Sequence, residues 1–410
     1  MTYDYLPLAL LALTAPALAD VLTVDTQGGP GTFVGIQGAV LNAAEGDTIL
    51  IREGNYTDVE IVGKSLTLVA EAGAEVAIAT LVTPGISPLT VRDLGPGQTV
   101  IVRGVRVYPD VIGVTEPSVW LRDNQGAVLL EDVHAEPFPG WSSLALRIEN
   151  SAAVILARSS FRSGLCDDVC SGGEVISSAV TAYDSQFIGG EGVDQLIFLP
   201  VTPGGSGLTI ESGSLFAAGS YFEGGNGGDV QESPCNTPGG SGILLGAGAP
   251  TVTVRDVTLV PGQPGAGGSS DPPCTDPNRD PVSVGSGSYT ELGGDARSLV
   301  ISSPVREGEL LVETFSGPPG DLVFAAFSGS LAAPAFLPFL AGDFALGSPF
   351  AVAFKGQIDA SGTLVDPVTI DDLPPGVQAQ SLHLQAVHVN GVGAAFTSGP
   401  SSTVLLDASL

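Results

Sequence analysis

Charged side chains recur at the same place in successive repeats of this chain. Glu131, Arg158 and Asp184 are 27 and 26 residues apart, and each stands three positions before the residue that precedes a turn in its repeat, which is His134, Phe161 or Phe187. If the repeats stack as paired strands, these side chains lie on adjacent strands about 4.8 Å apart. A carboxylate beside a guanidinium can act on a sugar as an acid, a base or a positioning group, so these three are the candidate catalytic residues. The alternative, which the sequence favours, is a salt ladder that only spaces the strands.

A second set of side chains suits sugar binding. Tyr108, Phe138 and Trp141 fall in neighbouring repeats, and Trp141 ends the motif PFPGW. An aromatic ring offers a flat apolar face with a polar edge, which a sugar ring can cover. The alternative is an aromatic plug that packs the loop onto the repeat.

The four cysteines are an even number, which favours disulfides in an exported chain. Cys235 and Cys274 follow the apolar residues of their repeats by 13 and 15 positions, so a bridge between adjacent loops is one pairing. Cys166 and Cys170 share one loop and form a second pair. Four cysteines allow three pairings, and the sequence leaves the choice open. No Cys-x-x-Cys pair with a nearby His indicates zinc.

One segment has oxygen ligands at alternate positions. Asp276, Asn278 and Asp280 are spaced like the start of a calcium loop, but the Gly and the later Glu of an EF-hand are missing. A solvated turn is therefore favoured. The sequence predicts no cofactor, with calcium as the alternative at these residues.

The repeats themselves set the architecture. A residue followed by a turn, apolar in every repeat except that of His134, recurs at spacings of 27, 27, 26, 35 and 37 residues, at Val107, His134, Phe161, Phe187, Phe222 and Leu259. Such a period indicates a solenoid in which each coil contacts its neighbours. The last two coils are longer because Gly/Pro-rich loops are inserted near 224–242 and 261–285. The sequence thus predicts a parallel β-helix over residues 20–302.

The N-terminal stretch indicates how the solenoid begins. Apolar residues around Ile36 and Val40 form one helical face, and brief strands with turns follow from Thr48. The segment TFVGIQGAVLNAAEGDTILIREGNYTD, Thr32 to Asp58, resembles the cap and first coil of secreted proteins in the pectin-lyase-like superfamily. The resemblance implies an all-β fold, a right-handed parallel β-helix with an N-terminal capping helix. It implies no single activity, because the fold supports many. The residue patterns of its polygalacturonase-like, pectin-esterase-like and pectate-lyase-like members are not found.

The coil pattern fades near residue 294. From Ser303 the chain becomes rich in Phe and in Pro/Gly turns, which is typical of an antiparallel β module. The sequence therefore predicts a small sandwich-like module over 303–410, which could cap the open end of the coils or tether the protein.

Location and partners follow from the bulk properties. Residues 1–19 have an apolar core and end in a small-x-small site at Ala17 to Ala19, as a secretory signal does. No later run is long and apolar enough for a membrane span. A net charge of −30 excludes nucleic acid and anionic lipid as favoured partners.

The sequence predicts a secreted or cell-surface β-helix protein that is not catalytic and that binds polysaccharide or serves as an extracellular scaffold. The alternative is a polysaccharide lyase or glycoside hydrolase that acts on a coil face. The oligomeric state does not follow from the sequence.

Overall fold

The computed structural model describes residues 19–80, 86–109, 116–136, 144–165, 170–194, 201–229, 237–266 and 280–410. In these ranges nearly all of the regular secondary structure is β-strand. The helical segments are the α-helix Ile36–Asn42 and the 3-10 helix Pro338–Leu340. Within the same ranges, no helix has the length and hydropathy to span a bilayer.

Three parallel sheets form a β-helix. The chain passes from sheet A to sheet B to sheet C and back to sheet A, and each strand pairs with the equivalent strand of the next coil. The eleven strands of sheet A are, in spatial order, Thr32–Phe33, Val21–Val24, Thr48–Ile51, Leu66–Ala70, Thr99–Arg103, Ala127–Glu131, Ala153–Ala157, Ser178–Tyr183, Gly213–Ala218, Thr251–Arg255 and Ser288–Leu292.

Sheets B and C have eight strands each. Those of sheet B are Gly54–Tyr56, Val76–Thr80, Val105–Pro109, His134–Ala135, Ser160–Arg162, Gln186–Ile188, Tyr221–Glu223 and Thr258–Val260. Those of sheet C are Val59–Val62, Leu89–Arg92, Val119–Arg122, Leu146–Glu149, Gly173–Ile176, Leu208–Ile210, Ile243–Leu245 and Val282–Val284. The predicted parallel β-helix is confirmed.

The apolar residues of the repeats form an inward column in sheet B, with one correction. The register pairs Val107 with Ala135 and Ala135 with Phe161, so Ala135 and not His134 belongs to this column. His134 is exposed on the outer face. The rings of Phe161 and Phe187 stack at 5.5 Å, and Phe187 and Phe222 stack at 5.1 Å. Stacked side chains of this kind fill the interior of a narrow solenoid without voids.

The turns between sheets A and B repeat as regularly as the strands. One residue per coil has a positive φ, at Gly104, Asp132, Arg158, Asp184, Gly219 and Asp256. Just beyond it, buried serines form a ladder: the Oγ of Ser159 accepts from Val133 N at 3.1 Å, and the Oγ of Ser185 accepts from Ser159 N at 3.2 Å. These bonds satisfy backbone donors that would otherwise be buried without a partner.

The predicted N-terminal helix is present. Ile36, Ala39 and Val40 face the interior and join the main hydrophobic core. The helix packs against Val59–Val62 and the first strands of sheet A, so it closes the end of the core.

The C-terminal part is an antiparallel module, as predicted, apart from the short parallel pairing of Val305–Arg306 with Ala395–Leu406. Its three-stranded sheet consists of Ser298–Ile301, Leu310–Ser316 and Thr363–Thr369. Its five-stranded sheet consists of Val305–Arg306, Ala395–Leu406, Ala379–Val389, Leu322–Ser328 and Ala351–Gln357. A two-stranded hairpin consists of Leu331–Leu337 and Gly342–Leu346. Ser298–Ile301 pairs with Leu310–Ser316, so the module begins a few residues before Ser303.

The module lies along the outward face of sheet A. Leu129 and Ile155, which point outward from sheet A, share a buried cluster with Leu331 and Leu346 of the module. Contacts extend from the coil of Leu50, which packs with the module's Val404 and Leu406, to the coil of Phe216, whose ring is 6.0 Å from that of Phe336. The two parts are therefore joined along the solenoid axis.

Candidate functional site

The three predicted catalytic residues do not share one column, because the register of sheet A separates Glu131 from Arg158 and Asp184. Glu131 is the last residue of its strand and pairs with Arg103 and Ala157, whereas Arg158 and Asp184 occupy the positive-φ turn. The residue of the Glu131 coil that shares their column is Asp132. The expected acid–base–acid order persists in this column, with Asp132 in the place of Glu131.

Glu131 and Arg158 are nevertheless in contact. Arg158 donates from Nη2 to Glu131 and from Nε to Asp132 Oδ1 at 3.1 Å. Arg103 completes the cluster, with Nη1 3.2 Å from Glu131 Oε1. Burial lowers the pKa of Arg158, but the charges of Glu131 and Asp132 outweigh this effect and raise the pKa above its ordinary value. The guanidinium is a permanent cation clamped between two acids.

The C-terminal module supplies the remaining partners of this cluster. Ser402 N donates to Glu131 Oε2 at 2.9 Å, and Ser401 Oγ donates to Glu131 Oε1. Arg158 Nη1 donates to Leu299 O at 2.9 Å. The Glu131 side chain is 0% exposed and that of Arg158 is 15% exposed. The cluster thus lies in the seam between the β-helix and the module.

Asp184 lies one coil further along the column. Burial raises its pKa to about 6; the charge of Arg158 opposes this shift and that of Asp256 adds to it. The group therefore titrates near neutral pH beside the same seam.

Because the module lies on sheet A, the outward faces of sheets B and C are both left exposed, and both have polar side chains. Tyr108, the one carbohydrate-binding candidate among the described residues, lies half-buried on the outward face of sheet B. Next to it, Arg106 and Glu136 form an ion pair at 4.0 Å with both side chains exposed. Further along, Tyr221 donates to Glu223 Oε2 at 2.9 Å. Burial, that hydrogen bond and the Glu223 charge raise the pKa of Tyr221.

A groove of about 410 Å³ lies where the sheet B strands end, and we call it the sheet B groove. It crosses four successive coils and is lined by Glu136, Arg162, Ser163, Gly164, Leu165, Ile188, Gly189, Glu191, Glu223, Gly224, Gly225 and Asn226. Its charged side chains are three carboxylates and one guanidinium. A concave site with a few convergent polar groups is a candidate site for a ligand.

These groove residues were not predicted from the sequence, although a signal was present. Tyr108, Arg162 and Glu223 each stand directly after the inward residue of their coil. Glu136 does so as well, because the inward residue of its coil is Ala135 and not His134. Strand residues alternate between faces, so the position after each inward residue defines an outward column that leads to the groove.

Glycine-rich segments beside the groove form a second feature that sequence reasoning missed, and we call it the glycine sandwich. Residues 188–194, 223–229 and 260–266 run outward from sheet B, and residues 170–172, 201–207 and 237–242 return toward sheet C. Successive segments are joined by backbone bonds of 2.8 Å, from Gly190 N to Cys170 O, Gly205 N to Gly190 O, Gly225 N to Gly205 O, Gly240 N to Gly225 O and Gly262 N to Gly240 O.

The segments approach so closely that side chains cannot fit between them. A Cβ added to Gly225 would lie 1.9 Å from Gly190 O, and one added to Gly240 would lie 1.9 Å from Gly205 O. Such spacing permits Cα–H···O contacts in addition to the N–H···O bonds. The signal in the sequence is TPGGSG, which occurs at 202–207 and again at 237–242.

Several candidate residues lie outside the described ranges. They are the signal segment up to residue 18, the aromatic residues Phe138 and Trp141, the cysteines Cys166, Cys235 and Cys274, and the calcium candidates Asp276 and Asn278. Cys170 is buried, and Asp280 is exposed. The disulfides and the calcium site stay predictions. Within the described residues, no three His, Cys, Asp or Glu side chains cluster as metal ligands would.

Comparisons with known proteins do not place the chain in a family. No family model matches it, and no curated protein matches it. A solved structure, superoxide reductase (neelaredoxin) from Ignicoccus hospitalis, is 10% identical, covers 27% of this chain and 80% of its own, and has a TM-score of 0.17. A similarity of that size carries no argument about this chain. The fold alone defines it as a parallel β-helix joined to an antiparallel module.

Proposed function

We propose that this chain is an extracellular polysaccharide-binding protein whose ligand lies along the outward face of sheet B and in the sheet B groove. The observation that carries the proposal is the groove itself, which crosses several coils in line with an exposed polar face. Tyr108 and Tyr221 are half-buried on that face. A chain of sugar rings needs this combination of length, hydroxyl-binding side chains and aromatic surface.

The charges favour an uncharged or cationic polysaccharide. The groove has the carboxylates of Glu136, Glu191 and Glu223 against the single guanidinium of Arg162, and the whole chain has a net charge of −30. A polyuronate would be repelled by this field unless divalent cations screened it. We therefore expect neutral or amino-sugar polymers to bind more tightly than pectate in the absence of calcium.

The contacts of Glu131 and Arg158 support a structural role for the predicted catalytic column. A sugar could reach these side chains only if the module separated from sheet A, because their polar atoms are bonded to Ser401, Ser402 and Leu299. A lyase or hydrolase acting on a coil face stays the alternative function. We also propose that residues 1–19 direct export and that the chain is related to the pectin-lyase-like superfamily.

The test is binding of the chain from Asp20 to Leu410 to a panel of neutral, cationic and anionic polysaccharides, with and without calcium. Released reducing or unsaturated ends are measured in parallel. Tyr108→Ala should weaken binding about three- to tenfold, which corresponds to the loss of one aromatic contact. Arg162→Ala should weaken it about tenfold through the loss of a charged hydrogen-bond donor in the groove.

Trp120→Ala is the matched control, since Trp120 is also half-buried and belongs to the same coil but lies on sheet C. It should leave binding unchanged while thermal melting confirms the fold. Equal losses in Tyr108→Ala and Trp120→Ala would refute the proposed face. Absence of both binding and release across the panel would favour the scaffold role.

A further inference from the structure

Long strands at the edges of sheets are protected in this protein, with one exception. Among the described residues, three edge strands have seven residues: Leu331–Leu337, Ala351–Gln357 and Thr363–Thr369. The first contains Pro334 and the third contains Pro367. Proline, charge and shortness are the means by which edge strands avoid pairing with other chains. Ala351–Gln357 has no proline.

The one charged residue of Ala351–Gln357 does not protect its edge either. Lys355 is turned inward, where its Nζ lies 2.8 Å from Glu313 and 3.0 Å from Asp366. The bulge in the pairing with Leu322–Ser328 falls at the Gly356 end, so residues 351–354 stay in regular register. The free edge of this strand is therefore regular and uncharged.

The strand also has an apolar face that continues an existing interface. Val352 and Phe354 are 57% and 58% exposed, and Phe350, two residues earlier, is 47% exposed. Val352 pairs with Ala326 of the neighbouring strand, and Ala326 is buried against sheet A of the β-helix. Directly opposed residues lie on the same face of a sheet. The sheet face that binds the β-helix thus extends beyond it as an exposed apolar strip.

We propose that this edge strand is the interface of a homodimer, in which Ala351–Gln357 pairs antiparallel with the same strand of a second copy. A two-fold axis places this strand antiparallel to the same strand of the second copy. Each contact across the interface therefore occurs twice, once from each copy. The strand contains no acidic residue, although the chain has 44 of them. Pairing with a second copy therefore places no two carboxylates opposite each other. The exposed Phe350, Val352 and Phe354 of each copy then lie beside those of the other.

The test is sedimentation velocity of the chain from Asp20 to Leu410 over a range of protein and salt concentrations. We expect a concentration-dependent dimer whose Kd falls as salt rises, because salt screens the repulsion between two highly acidic chains. Val352→Lys should raise the Kd about tenfold or more by placing a charge in the apolar strip. Val352→Thr, which keeps the β-branched shape, should raise it less.

Val365→Lys is the matched control, because Val365 is 55% exposed on the edge strand that Pro367 protects. It should leave the Kd unchanged. A wild-type chain that stays monomeric at every concentration overturns the proposal, whether or not it binds another protein. So does a dimer that Val352→Lys leaves intact, or one that Val365→Lys disrupts equally.

Discussion

Replacement of Arg158 by Ala tests whether the buried charges join the module to the β-helix. The substitution removes the ion pair with Glu131, the bond to Asp132 at 3.1 Å and the bond to Leu299 O at 2.9 Å. Breaking a buried pair by removing one partner costs about 3–5 kcal/mol, because the other charge stays buried. Glu131 retains Arg103 at 3.2 Å, so we expect about 3 kcal/mol, the lower end of that range.

The assay is thermal and urea unfolding with a probe that reports on the module. If the module of about 110 residues unfolds as its own unit, about 3 kcal/mol lowers its Tm by about 13 °C; if the whole chain unfolds together, the shift is about 4 °C. Arg106→Ala is the control: Arg106 is 62% exposed and its ion pair with Glu136 is 4.0 Å long. It should cost less than about 0.5 kcal/mol.

The result that refutes this reasoning is an Arg158→Ala protein that unfolds within about 1 kcal/mol of wild type. If the same variant also abolished a release of sugar ends that the wild type shows, Arg158 would be catalytic and the seam would have to open during turnover.

Two further predictions concern Asp184 and the glycine sandwich. Burial raises the pKa of Asp184 from 3.8 to about 6, so the folded state holds a proton that the unfolded state has released, and stability falls as pH rises from about 4 to about 6. Asp184→Asn should remove about 3 kcal/mol of this pH dependence, since each pKa unit corresponds to about 1.4 kcal/mol, as measured by urea unfolding at several pH values. Gly225→Ala should destabilise by about 2–3 kcal/mol or more because its Cβ would lie 1.9 Å from Gly190 O. Gly391→Ala, whose Cβ meets nothing within 4 Å, should stay within about 0.5 kcal/mol of wild type in the same melt.

The coil repeat could be predicted because inward residues of a solenoid must be apolar and must recur once per coil. The prediction was one residue off at His134 because the inward residue of that coil, Ala135, is small and gives a faint signal. Its neighbours in the column, Val107 and Phe161, fill the space on either side. A pattern based on large apolar side chains passes over such a coil.

The surroundings of Glu131 could not be predicted in the same way. Its partners Ser401 and Ser402 are 270 and 271 residues away in the sequence, and no local pattern connects a solenoid turn with a strand of a distant module. A polar column on a solenoid predicts an outward face, but it does not say whether that face is in water or beneath another part of the chain.

The glycine sandwich was missed for a different physical reason. Hydrophobic periodicity detects side chains that leave water, whereas the sandwich is held by backbone bonds such as Gly205 N to Gly190 O. The close packing of these segments requires glycine, which has no side chain. In the sequence this requirement is visible as the repeated TPGGSG at 202–207 and 237–242.

The distribution of the cations connects the fold with the proposed function. The chain has only 14 Lys and Arg residues, yet Arg103, Arg158 and Arg255 of the β-helix all donate to groups of the module. Arg306 of the module forms an ion pair with Glu71 of the β-helix at 2.9 Å. A cation used in this way is shielded from an external ligand, so few are left to attract a polyanion. The exposed face of sheet B is consequently better suited to a polymer recognised through hydroxyl and amino groups than to one recognised through carboxylates.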